Sequence, residues 1–220
     1  MAKVWMDKAI AIDGNFLTAY KWRGIINGEM KLYEEAVRDF NVAIQLDPMN
    51  SDLYVRRARA NEKLDKIEDA LRDLRFAYDL KPDAVRTLLY LGDVYARTGK
   101  VQLAVDYYDR AVAAQPKYDD AYAHKADALV QLDRKEDALA SIEKAIEVST
   151  YKPERFWLKK GALLEQLNRL DEARAAYVKA RTLNPKLLPA WRKEMELAKV
   201  AGDSAAAEAA HAKCMELEVR

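Results

Sequence analysis

Residues 85–116, VRTLLYLGDVYARTGKVQLAVDYYDRAVAAQP, decide the fold, because the rest of the chain is this unit repeated. Two amphipathic helical patterns flank Thr98-Gly99-Lys100, and a proline closes the unit. In the first pattern Leu88, Leu91, Gly92 and Tyr95 share one face at helical spacing; in the second Val101, Ala104, Val105, Tyr108, Ala111 and Val112 do so. Working outward, alanine recurs every 34 residues at Ala9, Ala43, Ala77, Ala111 and Ala145. A second ladder runs Ala36, Ala70, Ala104, Ala138 and a third runs Gly24, Ala58, Gly92, Ala126, with Pro48, Pro82 and Pro116 in step. Two helices joined by a short turn pack antiparallel, and glycine or alanine at their crossing lets the backbones approach closely. One such pair cannot bury its apolar faces alone, so neighbouring pairs must stack.

A helix-turn-helix period of 34 residues with small residues at these places and a closing proline resembles the tetratricopeptide repeat (TPR) family. The resemblance implies an all-α fold, a right-handed TPR superhelix (α-solenoid) of antiparallel helix pairs. Residues 1–220 are expected to form a single array: a half-repeat at 1–16, then full repeats at 17–50, 51–84, 85–118, 119–153, 154–187 and 188–220. Ala2, Met6, Ala9 and Ile10 occupy the places of Ala36, Phe40, Ala43 and Ile44, so the half-repeat reads as a second helix, either a natural cap or the start of a piece cut from a longer array.

Departures from the pattern carry their own expectations. Asn27 and Asn61 stand where Tyr95 is large and apolar, and Met195 and Ala198 exchange small and large in the last repeat. The segment 149–153 adds one residue to the period, which predicts a longer turn. Turns within pairs carry Asp65, Gly99, Asp133, Asn168 and Gly202, all tolerant of left-handed backbone; Lys31 breaks the series, and nearby Gly28 is expected to serve instead. Tyrosines and tryptophans fall mainly on core spacing. Cys214 holds the ladder place of Ala145 and Ala180 and is expected to be a small buried residue. The end around Cys214, Met215 and Leu217 is expected to be exposed, through either truncation of a longer array or end-to-end self-association.

Composition narrows the function classes. Charged residues make up 33% of the chain, 37 basic against 36 acidic, for a net charge of +1, so nothing in the bulk charge attracts nucleic acid or an anionic membrane. No apolar run approaches the ~20 residues that span a bilayer. The first residues, MAKVWMDKAIAID, are charged throughout and lack a signal-peptide core, and a lone cysteine, Cys214, forms no intrachain disulfide; both point to the cytoplasm. His124 and His211 lie in different repeats without metal-ligand spacing, and no phosphate loop, nucleophile elbow or zinc-protease motif occurs. No enzyme, cofactor or metal is expected.

The informative residues lie on the face of each first helix turned away from its own second helix. In TPR proteins that face lines a concave groove for an extended peptide or a helix, and the resemblance implies the same here. By alignment the peptide-binding set is Lys21, Arg56, Arg59, Arg86, Tyr90, Asp93, His124 and Asp127, continued by Arg155 and Lys159, with Asp52 and Glu62 interleaved. The alternative is a solvated ion network in which Arg59 pairs with Asp93. Chaperone-binding TPR proteins hold two carboxylates with lysine, two asparagines, lysine and arginine. This chain offers Lys21, Ile25, Arg56, Arg86 and Tyr90 at those places, keeping the basic character without the asparagines. The expected function is a non-catalytic, co-chaperone-like protein-binding scaffold or adaptor. Its expected partner is a protein segment, acidic or with a free C-terminal carboxylate. The alternatives are the substrate-recruiting portion of a larger, enzymatic protein and a self-associating structural scaffold.

Overall fold

The computed structural model describes residues 1–218, and among these the regular structure is entirely α-helical. The helices fall into two compact units. The first, Met1–Ala114, holds α1 (Ala2–Ile12), α2 (Leu17–Glu29), α3 (Tyr33–Leu46), α4 (Ser51–Lys63), α5 (Ile67–Leu80), α6 (Val85–Arg97) and α7 (Val101–Ala114). The second, from Gln115 on, holds α8 (Asp119–Gln131), α9 (Lys135–Val148), α10 (Glu154–Gln166), α11 (Leu170–Leu183), α12 (Leu188–Val200) and α13 (Ser204–Glu218). Each even-numbered helix packs mainly on the odd-numbered helix that follows it. None of the described helices is long and apolar enough to cross a membrane.

The turn within each pair reverses through one left-handed residue. Asp65, Gly99, Asp133, Asn168 and Gly202 take positive φ, and so does Lys31, at 62°. The next backbone N–H then reaches back to a carbonyl of the preceding helix, from Leu32 to Asn27 at 2.8 Å and from Lys100 to Tyr95 at 2.9 Å, satisfying a helix-end acceptor. Lys31 therefore carries the turn, contrary to the expectation for Gly28, which lies inside α2. The added residue at 149–153 is absorbed by Lys152, also left-handed, ahead of Pro153 at the start of α10.

Packing within a pair follows one rule, in which residues 16 apart meet at the helix crossing. A side chain at Gly24 would touch the Phe40 ring at 2.8 Å, one at Gly161 would touch Tyr177 at 2.5 Å, and one at Gly92 would enter the Tyr108 ring. Where the second helix carries the smaller Leu74 or Ile142, the first carries Ala58 or Ala126. Phe40, Tyr108 and Tyr177 are all buried, so an added side chain would press on a packed ring. In the last pair the corresponding places hold the half-buried Met195 and an exposed His211, and the small Ala198 is fully buried.

Asn27 and Asn61, the polar residues on the apolar ladder, are both buried, and Asn27 belongs to a polar network. Arg23 grips Asp39 through Nε at 3.1 Å and Nη2 at 2.6 Å, donates from Nη1 to Asp7 at 2.9 Å, and Asn27 Nδ2 donates to Asp39 at 2.9 Å. One repeat on, Arg57 grips Asp73 at 2.8 and 2.6 Å and donates to Asn41 at 2.8 Å. Donating to the buried Asp39 carboxylate pushes the Arg23 guanidinium further toward its charged form, against the effect of burial. In the third repeat the same places hold Leu91, Tyr95 and Tyr107; the two tyrosine rings stack 5.4 Å apart, and Arg75 donates to the Tyr95 hydroxyl at 3.1 Å.

Burial corrects the expectation for some of the aromatics and adds detail to the last repeat. Trp5 and Trp22 are more than half exposed and Tyr151 is 67% exposed, so these aromatics are not core residues. Cys214, in the ladder place of Ala145 and Ala180, is buried as its register implies, while Met215 beside it is exposed. The last first helix buries a charge: Glu194 is held by Arg181, whose guanidinium lies 4.2 Å from the Trp191 ring centroid.

The crossing rule predicts opposite outcomes for two glycines of similar sequence context. Gly92→Leu should destabilise by about 1–3 kcal/mol through overpacking against Tyr108. Gly28→Ala meets no atom within 4 Å and should stabilise by up to ~1 kcal/mol through helix propensity, both read from urea denaturation. Asp39→Ala, which strands Arg23, should cost about 3 kcal/mol in the same assay.

Candidate functional site

In the first unit the candidate residues sit on α2, α4 and α6. Asp52 and Arg56 are one helical turn apart on α4, so Arg56 Nε meets the Asp52 carboxylate at 2.7 Å. Two neighbouring helices add to this pair. Lys21 Nζ from α2 reaches Asp52 at 3.0 Å, and Arg86 Nη1 from α6 reaches its other oxygen at 3.0 Å. The basic strip expected across three repeats is thus three cations gathered on one carboxylate. Burial alone would raise the Asp52 carboxyl, but hydrogen bonds from Arg56 and Lys21 outweigh it and hold the group below its ordinary value.

Asp52 was the residue that sequence reasoning undervalued. The signal was present, since Arg86 follows Asp52 by one full period, and equivalent positions of adjacent repeats become neighbours when the repeats stack. The same logic places Arg97 of α6 on Glu62 of α4 at 3.0 Å.

Arg59 projects its guanidinium over Tyr90, 4.8 Å from the ring centroid. Among the described residues no carboxylate pairs with it. Asp93 accepts the Tyr108 hydroxyl at 2.7 Å, tying the exposed face to the buried crossing at Gly92. Below Arg59 opens a cavity of about 340 Å³ between α2, α3 and α4. Ile25, Ala36, Phe40 and Ala60 form its apolar wall, and Glu29, Arg56, Arg59 and Lys63 stand among its lining side chains.

The remaining candidates lie in the second unit. His124 is half-buried and Asp127 exposed, both on α8. Lys159 from α10 caps Asp127 at 2.5 and 2.6 Å, and Arg155 pairs with Asp120 at 2.8 Å and Asp119 at 3.2 Å. Here acid and base compensate one another, whereas the α2, α4 and α6 face carries an excess of cations. No group of three His, Cys, Asp or Glu side chains among the described residues is placed to hold a metal.

A family model described as tetratricopeptide repeat matches residues 55–119 and 125–187. The chain is 35% identical over 112 residues to the Protein STIP1 homolog of Dictyostelium discoideum, an alignment covering 51% of this chain and 19% of that protein. It is 33% identical over 96 residues to the Hsp70-Hsp90 organizing protein of Triticum aestivum, covering 44% of this chain and 16% of the relative. The chain therefore spans less than a fifth of either relative. Among solved structures, Pseudomonas aeruginosa pilF superposes with a TM-score of 0.75 over 92% of this chain and 96% of its own, at 17% identity. The crystal structure of MamA protein gives 0.65 over 76% and 91% at 22% identity. These two likenesses bear on the fold alone.

The cluster on Asp52 sets a pH dependence. A carboxyl whose folded value lies below its unfolded value stabilises fully above the unfolded value and loses that contribution as pH falls through the folded one. Acidification through and below the ordinary carboxylate range should therefore destabilise the chain in part through Asp52. Asp52→Asn should flatten that limb, and at neutral pH it should cost stability that added salt restores, because Lys21, Arg56 and Arg86 then repel. Urea titrations across this range and over a salt series measure both.

Proposed function

The chain belongs to the tetratricopeptide repeat family, and we propose that it is a non-catalytic interaction scaffold or adaptor that binds a peptide segment of a protein partner on the exposed face of α2, α4 and α6. The observation that carries this reading is the charge state of that face: Lys21, Arg56 and Arg86 share one carboxylate, Asp52. An incoming carboxylate, from an acidic side chain or a free C-terminus, meets an already assembled set of donors. Arginine binds such a group with two parallel hydrogen bonds, which fixes orientation as well as adding attraction.

The relatives named for STIP1 and for Hsp70-Hsp90 organization support a protein-binding role of this kind. The chaperone clamp does not transfer residue for residue. Ile25 stands at the first asparagine place and lines the cavity instead of donating hydrogen bonds. Affinity on this face then rests on apolar burial, worth about 1.5–3 kcal/mol for a fully buried large side chain. Carboxylates contribute direction and salt sensitivity. Because the chain covers 19% and 16% of those two relatives, a second reading is that it serves as the recruiting portion of a longer protein.

The test is affinity capture on the 220-residue chain, followed by titration of a peptide from the captured partner. The variant is Lys21→Gln with Arg56→Gln and Arg86→Gln, which removes the cations without crowding further acids around Asp52. Binding should weaken about tenfold or more and lose its salt dependence, the equivalent of ~1.4 kcal/mol. Equal affinity in a variant whose helicity is unchanged moves the site elsewhere.

A further inference from the structure

The cavity between α2, α3 and α4 is a product of particular residues, as its counterpart in the second unit demonstrates. There the equivalent places around α8, α9 and α10 enclose about 180 Å³, against about 340 Å³ in the first unit. Val130 and Leu163 fill in the second unit what Gly28 and Ala60 leave open in the first. The place of Ala60 is occupied by Ile26, Val94 and Leu197 in other repeats, so a large side chain is compatible with the fold there. Gly28 likewise faces open space, with nothing within 4 Å of a Cβ built on it.

Charge at the rim separates the two cavities as well. Arg59 stands over the first, and Ala162 occupies its place in the second. The Arg59 guanidinium lies on the Tyr90 ring and pairs with no carboxylate among the described residues. Lys63 approaches its nearest acid, Glu62, at 3.9 Å. Arg56 is already engaged by Asp52 at 2.7 Å. The acid on the opposite rim is Glu29. An apolar floor of Ile25, Ala36, Phe40 and Ala60 thus lies beneath an arginine whose charge is stacked and unneutralised.

We propose that this cavity is an anchor pocket that takes one large apolar side chain of an extended partner segment, with an aspartate or glutamate beside it bound by Arg59. The volume is at the small end of ligand cavities, roughly 300–1,000 Å³, which suits a single side chain and not a larger ligand. Seating it displaces water from the partly exposed Ile25 and the cavity space beside it, while the flanking carboxylate forms a bidentate pair with a guanidinium held in place by Tyr90. This assignment rests on the reading that the α2, α4 and α6 face binds peptide, and it adds the specificity: large apolar next to acidic.

A random peptide library displayed on phage, selected against the full 220-residue chain, tests the pocket directly. Enriched sequences should share a large apolar residue within two positions of Asp or Glu. A synthetic peptide of that consensus should bind roughly tenfold or more weaker to Ala60→Leu, which copies Leu163, and to Gly28→Leu, which closes the cavity from its rim. Arg59→Gln should weaken the peptide and leave its alanine-for-acid version unaffected. Unchanged binding to both leucine variants, or a consensus without the large apolar residue, overturns the pocket. If the Lys21, Arg56 and Arg86 glutamine variant still loses binding in that case, the peptide-binding reading of the face survives alone. Failure to enrich any sequence overturns both.

Discussion

The structure depends on how closely two antiparallel helices approach at one crossing per pair. There a residue of the first helix meets the residue 16 places later, and the two share a fixed volume. Phe40, Tyr108 and Tyr177 require glycine opposite; Leu74 and Ile142 admit alanine. Close packing makes the sum of the two volumes matter more than either one, because neither a void nor an overlap can relax far. The stacking of pairs, and with it the exposed face of each first helix, follows from the angle this contact sets. Asp93, adjacent to Gly92 and bonded to Tyr108, shows how directly the buried crossing fixes a residue of that face.

A second constraint distinguishes the first two repeats from the third. Arg23 with Asp39 and Asn27, then Arg57 with Asp73, are buried ionic groups, and such groups contribute less to net stability than an apolar replacement of the same shape. They do impose register, since each bidentate grip tolerates one arrangement of the helices involved. Asp7 of α1 and Asn41 of α3 complete them from the preceding helix, so neighbouring pairs are locked by directional bonds as well as by packing. The third repeat replaces these with stacked Tyr95 and Tyr107.

These two constraints meet at the α2, α3, α4 junction. Gly24 lets Phe40 come close, the network of Arg23 and Asp39 fixes the register, and the small Ala60 and Gly28 leave apolar surface uncovered beneath Arg59. Charge around it is arranged by the period itself. Lys21, Arg56 and Arg86 come from successive repeats, and one acid, Asp52, holds them together. An interaction surface on a repeat scaffold needs no special loop or strained backbone; it needs a departure from the average residue at a few repeat positions.

The sequence alone determined the helix pairs, the small-residue ladders and the added residue at 149–153, because each follows from periodicity or from chain length between elements. It also supplied the set of first-helix residues in which the basic cluster lies. Tertiary structure decided what depends on contacts between repeats and on volume. Asn27 departs from the apolar ladder for a reason only the folded chain shows, because its amide donates to Asp39, which Arg23 also grips. Lys31 took the left-handed turn because the bond from Leu32 to the Asn27 carbonyl requires it there, whatever residue occupies the position. Asp52 became the centre of the basic cluster through side chains from three helices. The cavity beneath Arg59 exists because two small residues far apart in the chain, Gly28 and Ala60, face the same space.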